Sequence, residues 1–234
     1  MEIDILAIGA HPDDAEIGCG GLLVKMKEMG YRTGVIHLTL GEMGSRGDGK
    51  IRAREIDRAA KVMGLDHVEV LGFKDCQVTD DYESRLKVAE ALRRVKPKIL
   101  LGPYWGGTPG RGLGHPDHIA GGNLVLHGAN FAHLAKLPIE GEPHAVDRIL
   151  HYFMPMDVLP TFVVDVSAQI KAWLDAVKAH RSQFYNPQTK KYDAIHFIEG
   201  IARHYGRMIR VKYGIGFLAA GPLPLEDPFV FVKK

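Results

Sequence analysis

The first half of the chain alternates short, continuous apolar runs with longer stretches in which apolar residues recur at helical spacing. Unbroken apolar runs are typical of buried parallel strands. We predict strands at 3–9, 33–40, 68–71 and 99–102. We predict helices at 16–29, 51–63 and 86–95. This alternation indicates an α/β fold, a Rossmann-like and mostly parallel sheet with helices on both faces.

The second half continues the pattern more loosely. We predict strands at 148–153 and 162–166, and helices near 168–183 and 194–205. The sequence contains no internal repeat, no low-complexity tract and no convincing linker. Because 234 residues provide enough apolar material for one sizeable core, we expect a single domain that spans 1–234.

Two related tetrads follow two of the predicted strands. His-Pro-Asp-Asp at 11–14 comes directly after the first strand. His-Pro-Asp-His at 115–118 follows the strand at 99–102, after a glycine-rich loop. In open parallel sheets, ligands bind in the crevice beyond the carboxyl ends of the strands. We therefore expect both tetrads to face one crevice.

Composition and charge narrow the possible partners. The chain has 30 basic and 28 acidic residues, a formal net charge of +2, so no global field favours nucleic acid or an anionic membrane. No apolar run approaches the roughly 18 residues that span a bilayer. The first residues lack the basic segment of a secretion signal, and two cysteines cannot form a disulfide framework. We expect a cytoplasmic protein that acts on a small molecule.

The residue types of the tetrads suit a catalytic zinc ion. Zinc binds histidine nitrogen and carboxylate oxygen, and a catalytic site keeps three protein ligands and an open position for water. His11 and Asp14 are three residues apart and can aim at one point, which leaves Asp13 free to act as a base. In the second tetrad, His115 and His118 can share a face, and only one of them is needed as a ligand. The spacing leaves that choice open.

The segments around the tetrads resemble the LmbE-like or PIG-L deacetylase family. The resemblance begins with the string Gly-Ala-His-Pro-Asp-Asp-Ala-Glu-Ile-Gly-Cys-Gly-Gly at 9–21 and Gly-His-Pro-Asp-His at 114–118. It continues in order through 39–47, 52–55 and 71–75. Pieces at 181–185, 205–206 and 211–213 look like the branch that deacetylates N-acetylglucosaminyl malate in bacillithiol biosynthesis.

This resemblance implies an activity and a role for each residue. The activity is zinc-dependent hydrolysis of the N-acetyl group of a glucosamine-type substrate, by a homo-oligomer. The implied zinc ligands are His11, Asp14 and His118. Asp13 is the implied general base, and a protonated His115, with its ring oriented by Asp117, stabilises the oxyanion.

Five further residues are expected to contact the substrate. They are Arg46, Arg52, Asp75, Tyr205 and Arg111. Arginine presents a planar fork that suits a hydroxyl pair or a carboxylate, an aspartate at a strand end can accept from a sugar hydroxyl, and a tyrosine can donate to an oxyanion. Arg111 is included because Gly114 stands where bacillithiol-type members commonly carry an arginine.

Other interpretations have less support. A dinucleotide-binding oxidoreductase would carry Gly-x-Gly-x-x-Gly after the first strand, where this chain has histidine and aspartate. A non-catalytic metal-binding or sugar-binding module and an amidase of mycothiol-like conjugates both fit the same residues. The remaining histidines, including His37 and His180, lack partner spacing, and we interpret them as structural or exposed.

Overall fold

The computed structural model describes residues 2–106, 114–192, 194–224, 226–227 and 229. Its strands are β1 Ile5–Gly9, β2 Thr33–His37, β3 His67–Val70, β4 Ile99–Pro103, β5 Arg148–Tyr152, β6 Phe162–Asp165, β7 Tyr185–Asn186, β8 Lys191–Tyr192 and β9 Gly214–Ala219. Its helices are α1 Asp14–Glu28, α2 Gly49–Met63, α3 Tyr82–Val95, α4 Pro116–Ala132, α5 Ile170–Ala179, α6 Arg181–Phe184 and α7 Ile195–Met208.

Seven strands form one sheet in the order β3-β2-β1-β4-β5-β9-β6. The pairs from β3 through β5 are parallel, and β9 pairs antiparallel with both β5 and β6. The predicted α/β fold with a mostly parallel sheet is confirmed. Strand β9 was not predicted, because two glycines interrupt its apolar pattern and glycine is depleted in strands.

Alternate residues of the sheet pack into two separate hydrophobic clusters. On β1, Ile5 and Ala7 belong to the cluster that also contains residues of α1, α5 and α7. Leu6 and Ile8 belong to the cluster that contains residues of α3 and α4. Successive side chains of a strand point to opposite faces, so helices cover both faces of the sheet.

The strand order reverses direction beside β1. The chain moves outward through β1, β2 and β3, and then returns to pair β4 with the other edge of β1, with Leu6 opposite Leu100. Helix α1 begins at Asp14, directly after β1, and α4 begins at Pro116, after β4. Both tetrads therefore lie at the topological switch point, where α/β sheets bind their ligands.

Close packing fixes the position of α4 against the chain that leaves β4. A Cβ atom on Gly122 would lie 2.7 Å from the carbonyl oxygen of Pro103 and 2.9 Å from the Cα atom of Trp105. Only glycine permits this approach of helix and backbone. The second tetrad, at the start of the same helix, is thereby held beside the first.

One predicted helix is divided. The expected helix at 168–183 ends at Ala179, and the short α6 begins at Arg181. His180 stands between them with non-helical torsion angles, φ −77° and ψ 57°, and its imidazole lies 3.2 Å from the carboxylate of Glu16. A buried ion pair therefore interrupts the helix that the apolar pattern predicts. Among the described residues, no helix has the length and apolar character to cross a membrane.

Candidate active site

A cavity of about 800 Å³ lies at the switch point and is lined by both tetrads. The first tetrad contributes His11, Asp13 and Asp14, and the second contributes His115 and His118. The expectation that the tetrads face one crevice is confirmed by this placement.

Backbone strain presents Asp13 to the cavity. Asp13 has φ 102° and ψ −26°, a left-handed conformation that costs a non-glycine residue on the order of 1–3 kcal/mol. It holds the N-cap position of α1, yet its side chain makes no capping hydrogen bond, while its carbonyl oxygen accepts from the Ile17 amide at 2.8 Å. The carboxylate is thus left free of the helix.

Donor atoms of three residues, His11, Asp14 and His118, converge in the cavity that Asp13 also lines. The Nδ1 atom of His11 lies 3.3 Å from Nε2 of His118 and 3.5 Å from Oδ2 of Asp14. The Nε2 atom of His118 lies 3.2 Å from Oδ1 of Asp14. Ligands held roughly 2.0–2.2 Å from zinc in a tetrahedron are spaced about 3.3–3.6 Å apart. The three residues therefore offer the donor types of a zinc site, and one ligand atom from each lies within 4.8 Å of the other two.

The second nitrogen of His11 contacts two carboxylates. Its Nε2 atom lies 3.1 Å from Asp75 and 3.3 Å from Asp117. Asp75 also accepts from the Met43 amide at 2.8 Å, and Asp117 from the Cys76 amide at 2.8 Å. Metal-binding histidines commonly donate their other N–H to a carboxylate, which fixes the tautomer and aims the ligand nitrogen. Both carboxylates are in turn held by backbone amides.

The electrostatics favour a positive charge at this point. Burial acts to lower the pKa of His11, but the carboxylates of Asp14, Asp75 and Asp117 raise it to about 9. Burial and the neighbouring Asp14 carboxylate raise the pKa of Asp13 to about 7. A bound cation is favoured by the same field and would return Asp13 toward its ionised form.

His115 is oriented differently from the expectation. Its Nδ1 atom accepts a hydrogen bond from the Asp117 backbone amide at 3.2 Å, which leaves the proton of the neutral ring on Nε2. Burial and the nearby His11 lower the pKa of His115. The Asp117 carboxylate contacts His11 rather than the His115 ring. The structure thus favours a neutral His115 that donates through Nε2, whereas the sequence-based expectation was a protonated ring held by the Asp117 carboxylate.

The expected substrate contacts are placed in several different ways. Asp75 lines the cavity, but His11 and the Met43 amide engage its carboxylate. Arg52 is buried and donates to the Pro12 carbonyl at 2.5 Å, with the Asp13 carboxylate at 3.5 Å. Both therefore hold the first tetrad, in addition to any contact with a substrate.

The other three residues that were expected to contact the substrate do not share one location. Tyr205 is buried and lines the cavity. Arg46 is exposed and lines a second cavity instead. Arg111 lies outside the described residues.

A buried ion pair beneath the first tetrad was missed in the sequence. Glu16 is 1% exposed and lies 3.2 Å from Nε2 of the fully buried His180, and His37 lies 3.9 Å from the same carboxylate oxygen. His37 also contacts the His11 carbonyl oxygen at 3.3 Å. In the sequence, the one available signal for this pair was the acidic residue two positions after Asp14. Spacing could not show that its partner is a histidine at position 180.

Apolar side chains form another part of the cavity wall. They are Phe153, Met154, Met156, Phe197, Ile198 and Ile201. Met156 is 56% exposed and Phe197 is 67% exposed. Among the described residues that line the cavity, Arg52 is the one lysine or arginine. The cavity lining therefore combines the acidic and imidazole groups of the tetrads with a largely apolar remainder.

Comparison with known proteins finds a matching family model and a similar solved structure. Residues 6–129 match the family model described as PIG-L: GlcNAc-PI de-N-acetylase, a range that contains both tetrads. The crystal structure of the conserved protein TT1542 from Thermus thermophilus has a TM-score of 0.87 to this chain at 38% identity, over 97% of this chain and 98% of that one.

Two curated relatives differ in the substrate that their names give. Diacetylchitobiose deacetylase from Thermococcus kodakarensis is 30% identical over 226 residues, 91% of this chain and 81% of that protein. A probable N-acetyl-alpha-D-glucosaminyl L-malate deacetylase 2 from Bacillus anthracis is 25% identical over 203 residues, 81% of this chain and 85% of that protein.

The buried Glu16–His180 pair predicts a pH-dependent contribution to stability. The pKa of Glu16 is lowered to about 2, so its stabilisation is fully present above its ordinary value of 4.5 and is lost as the pH falls toward 2. The pKa of His180 is raised, so its stabilisation is fully present below its ordinary value of 6.5. Glu16→Gln should lower the free energy of unfolding by about 3 kcal/mol between these values, and by less at either extreme.

Urea denaturation of wild type and Glu16→Gln across this pH range measures the difference. The exposed Glu140→Gln is the matched control and should change stability by no more than about 0.5 kcal/mol at any pH. A destabilisation by Glu16→Gln that is the same at every pH would contradict the ion pair.

Proposed function

Because the chain belongs to the PIG-L family of GlcNAc-PI de-N-acetylases, we propose that it is a zinc-dependent deacetylase of an N-acetylglucosamine conjugate. Hydrolysis of an N-acetyl amide is the activity shared by the named deacetylases among its relatives. The observation that carries the zinc proposal is the convergence of Nδ1 of His11, Nε2 of His118 and the Asp14 carboxylate at 3.2–3.5 Å, in the cavity that Asp13 also lines.

His11, Asp14 and His118 would hold the metal. Asp75 and Asp117 support this role for His11, because they contact its second nitrogen and keep the first directed at the site. A bound Zn²⁺ would lower the pKa of a water molecule and polarise the acetyl carbonyl. Proton transfer and donation to the oxyanion are proposed for side chains of the protein itself.

Asp13 is the proposed general base. Its carboxylate takes a proton from the attacking water as the new C–O bond forms, and it then returns that proton to the amide nitrogen as the C–N bond breaks. Acetate and a free amine are the products. Arg52, whose guanidinium lies 3.5 Å from the Asp13 carboxylate, favours the ionised form that must accept the proton.

His115 is the proposed donor to the developing oxyanion. The Asp117 amide occupies Nδ1 of His115, so the N–H of Nε2 can face the acetyl oxygen. A neutral imidazole donor fits the lowered pKa of His115. Placed in a site of low dielectric, such a fixed donor stabilises negative charge more effectively than water does.

A neutral glucosamine conjugate is the substrate that the cavity favours. The two carboxylates of a malate group would find one guanidinium among the described lining residues, and Arg52 is already bonded to the Pro12 carbonyl. The apolar wall offers Phe197 and Met156 to the uncharged faces of sugar rings. We therefore favour an N-acetylated chitooligosaccharide, the class that the name of the Thermococcus relative gives.

N-acetylglucosaminyl malate is the second candidate. The C-terminal pieces at 181–185, 205–206 and 211–213 resemble the bacillithiol branch, and the Bacillus anthracis relative is named for that substrate. Arg111, which lies outside the described residues, is the side chain that the sequence offers for a carboxylate. The homo-oligomeric state and the cytoplasmic location of the enzyme stay predictions.

Substitutions of the neighbouring Asp13 and Asp14 distinguish the proposed catalytic role from the proposed metal-binding role. Asp13→Asn should retain about one zinc per chain, because the side chain is not a proposed ligand and asparagine tolerates a left-handed backbone. Its turnover should fall by about 10²- to 10⁴-fold through loss of the base. Asp14→Asn should lose zinc and activity together. Metal analysis and the release of free amine from N-acetylglucosamine conjugates measure both quantities.

Two results would overturn these assignments. Full turnover by Asp13→Asn would show that Asp13 is not the base. Full zinc content in Asp14→Asn would show that Asp14 is not a zinc ligand. Zinc bound by the wild type without amine release from any conjugate would identify a binding module instead of an enzyme.

Substrate preference tests the nature of the aglycone. We expect a higher kcat/KM for N,N′-diacetylchitobiose than for N-acetylglucosaminyl malate, because desolvating two carboxylates against one partnered arginine is unfavourable. Amine release from both substrates under identical conditions measures the ratio. A ratio that favours the malate glycoside would assign the enzyme to the bacillithiol-type reaction.

A further inference from the structure

A second cavity, of about 660 Å³, is lined by residues of α2, of α6 and of the loop that carries Arg46. Four arginines line it: Arg46, Arg54, Arg58 and Arg181. No residue lines both this arginine cavity and the catalytic cavity, among those that the structure describes. The formal net charge of the whole chain is only +2, so this is a local concentration of positive charge.

One carboxylate is found among the described residues that line the arginine cavity, and it is already engaged. Glu55 is buried, and its two oxygens accept from the Ser182 amide at 2.6 Å and from the Ser182 hydroxyl at 2.7 Å. This contact fixes α6 on α2. Glu55 therefore serves as the anchor of the cavity wall, and the guanidinium groups keep their hydrogen-bonding capacity.

The four arginines are exposed, and ion pairs do not explain them. Among the described residues, the arginines in ion pairs with carboxylates are Arg32, Arg52, Arg85, Arg94 and Arg203. Arg54 and Arg58 stand four residues apart on one face of α2, where like charges destabilise a helix. An anion bound between the two guanidinium groups would offset this repulsion.

The geometry favours directed recognition of an oxyanion. The guanidinium carbon of Arg181 lies over the ring of Tyr185, 3.7 Å from its centroid, and this contact restrains the side chain at the cavity. Arginine pairs in a bidentate way with phosphate and carboxylate oxygens, whereas lysine acts as a point charge. The cavity is lined by arginine and contains no lysine among its described residues.

We propose that the arginine cavity is a second binding site, separate from the catalytic cavity, for an oxyanion of the phosphate class. The ligand is either free phosphate or the phosphate group of a small ester. Bound there, it would bridge α2 and α6 and contact the loop at Arg46. That loop is joined to the catalytic side by the Gln183 side chain, which donates to the Arg46 carbonyl at 2.6 Å.

Calorimetric titration of the full chain with inorganic phosphate and with glucose 6-phosphate, at constant ionic strength set by chloride, tests the site. Both probes should bind the wild type saturably. Arg54→Gln/Arg58→Gln should bind them roughly 10- to 100-fold more weakly, and Arg54→Lys/Arg58→Lys should recover only part of the affinity. A tighter Kd for glucose 6-phosphate would identify an ester as the ligand, and equal values would identify free phosphate.

Arg148→Gln/Arg207→Gln is the matched control, since it removes two exposed charges that do not line the cavity. It should bind both probes as the wild type does. No saturable binding, equal loss in the control, or unchanged affinity in Arg54→Gln/Arg58→Gln would overturn the proposal. A change of oligomeric state in that variant with its phosphate affinity intact would assign the face to a contact between copies and would also overturn it.

Discussion

Three nearly buried carboxylates contact the imidazole of His11. Asp14 lies 3.5 Å from Nδ1, while Asp75 and Asp117 lie 3.1 and 3.3 Å from Nε2. Buried charges of one sign are costly unless they are compensated. This constraint accounts for the raised pKa of His11 and makes a divalent cation the natural occupant of the space between His11, Asp14 and His118. In the proposed function, the same concentration of negative charge serves both to bind zinc and to supply the base.

The sheet makes this concentration of charge possible. Parallel pairing of β1 with β4 brings segments that are distant in the sequence to neighbouring strand ends, and the N-termini of α1 and α4 follow there. The left-handed backbone of Asp13 comes directly before the first residue of α1, Asp14, so the proposed base and the proposed ligand are neighbours in the sequence that meet the cavity from different backbone conformations. Backbone amides of Met43 and Cys76 then hold the outer carboxylates in place.

The sequence predicted the elements with strong periodicity and the meeting of both tetrads at one cavity. The strands around β1 and the pairing of the two tetrads followed from apolar runs and motif position. Contacts between side chains that only the fold brings together could not be predicted from the sequence. The Asp117 carboxylate contacts His11 rather than His115, and Arg46 lines a different cavity from Arg52. Spacing could not connect Glu16 with His180, because the sheet and α5 set that distance.

The zinc site itself can be tested by X-ray absorption at the zinc edge of the purified protein. We predict a shell of two imidazole nitrogens with oxygen at about 2.0–2.2 Å and no sulfur. A sulfur ligand near roughly 2.3 Å, or a shell of oxygen alone, would contradict the assignment of His11, Asp14 and His118.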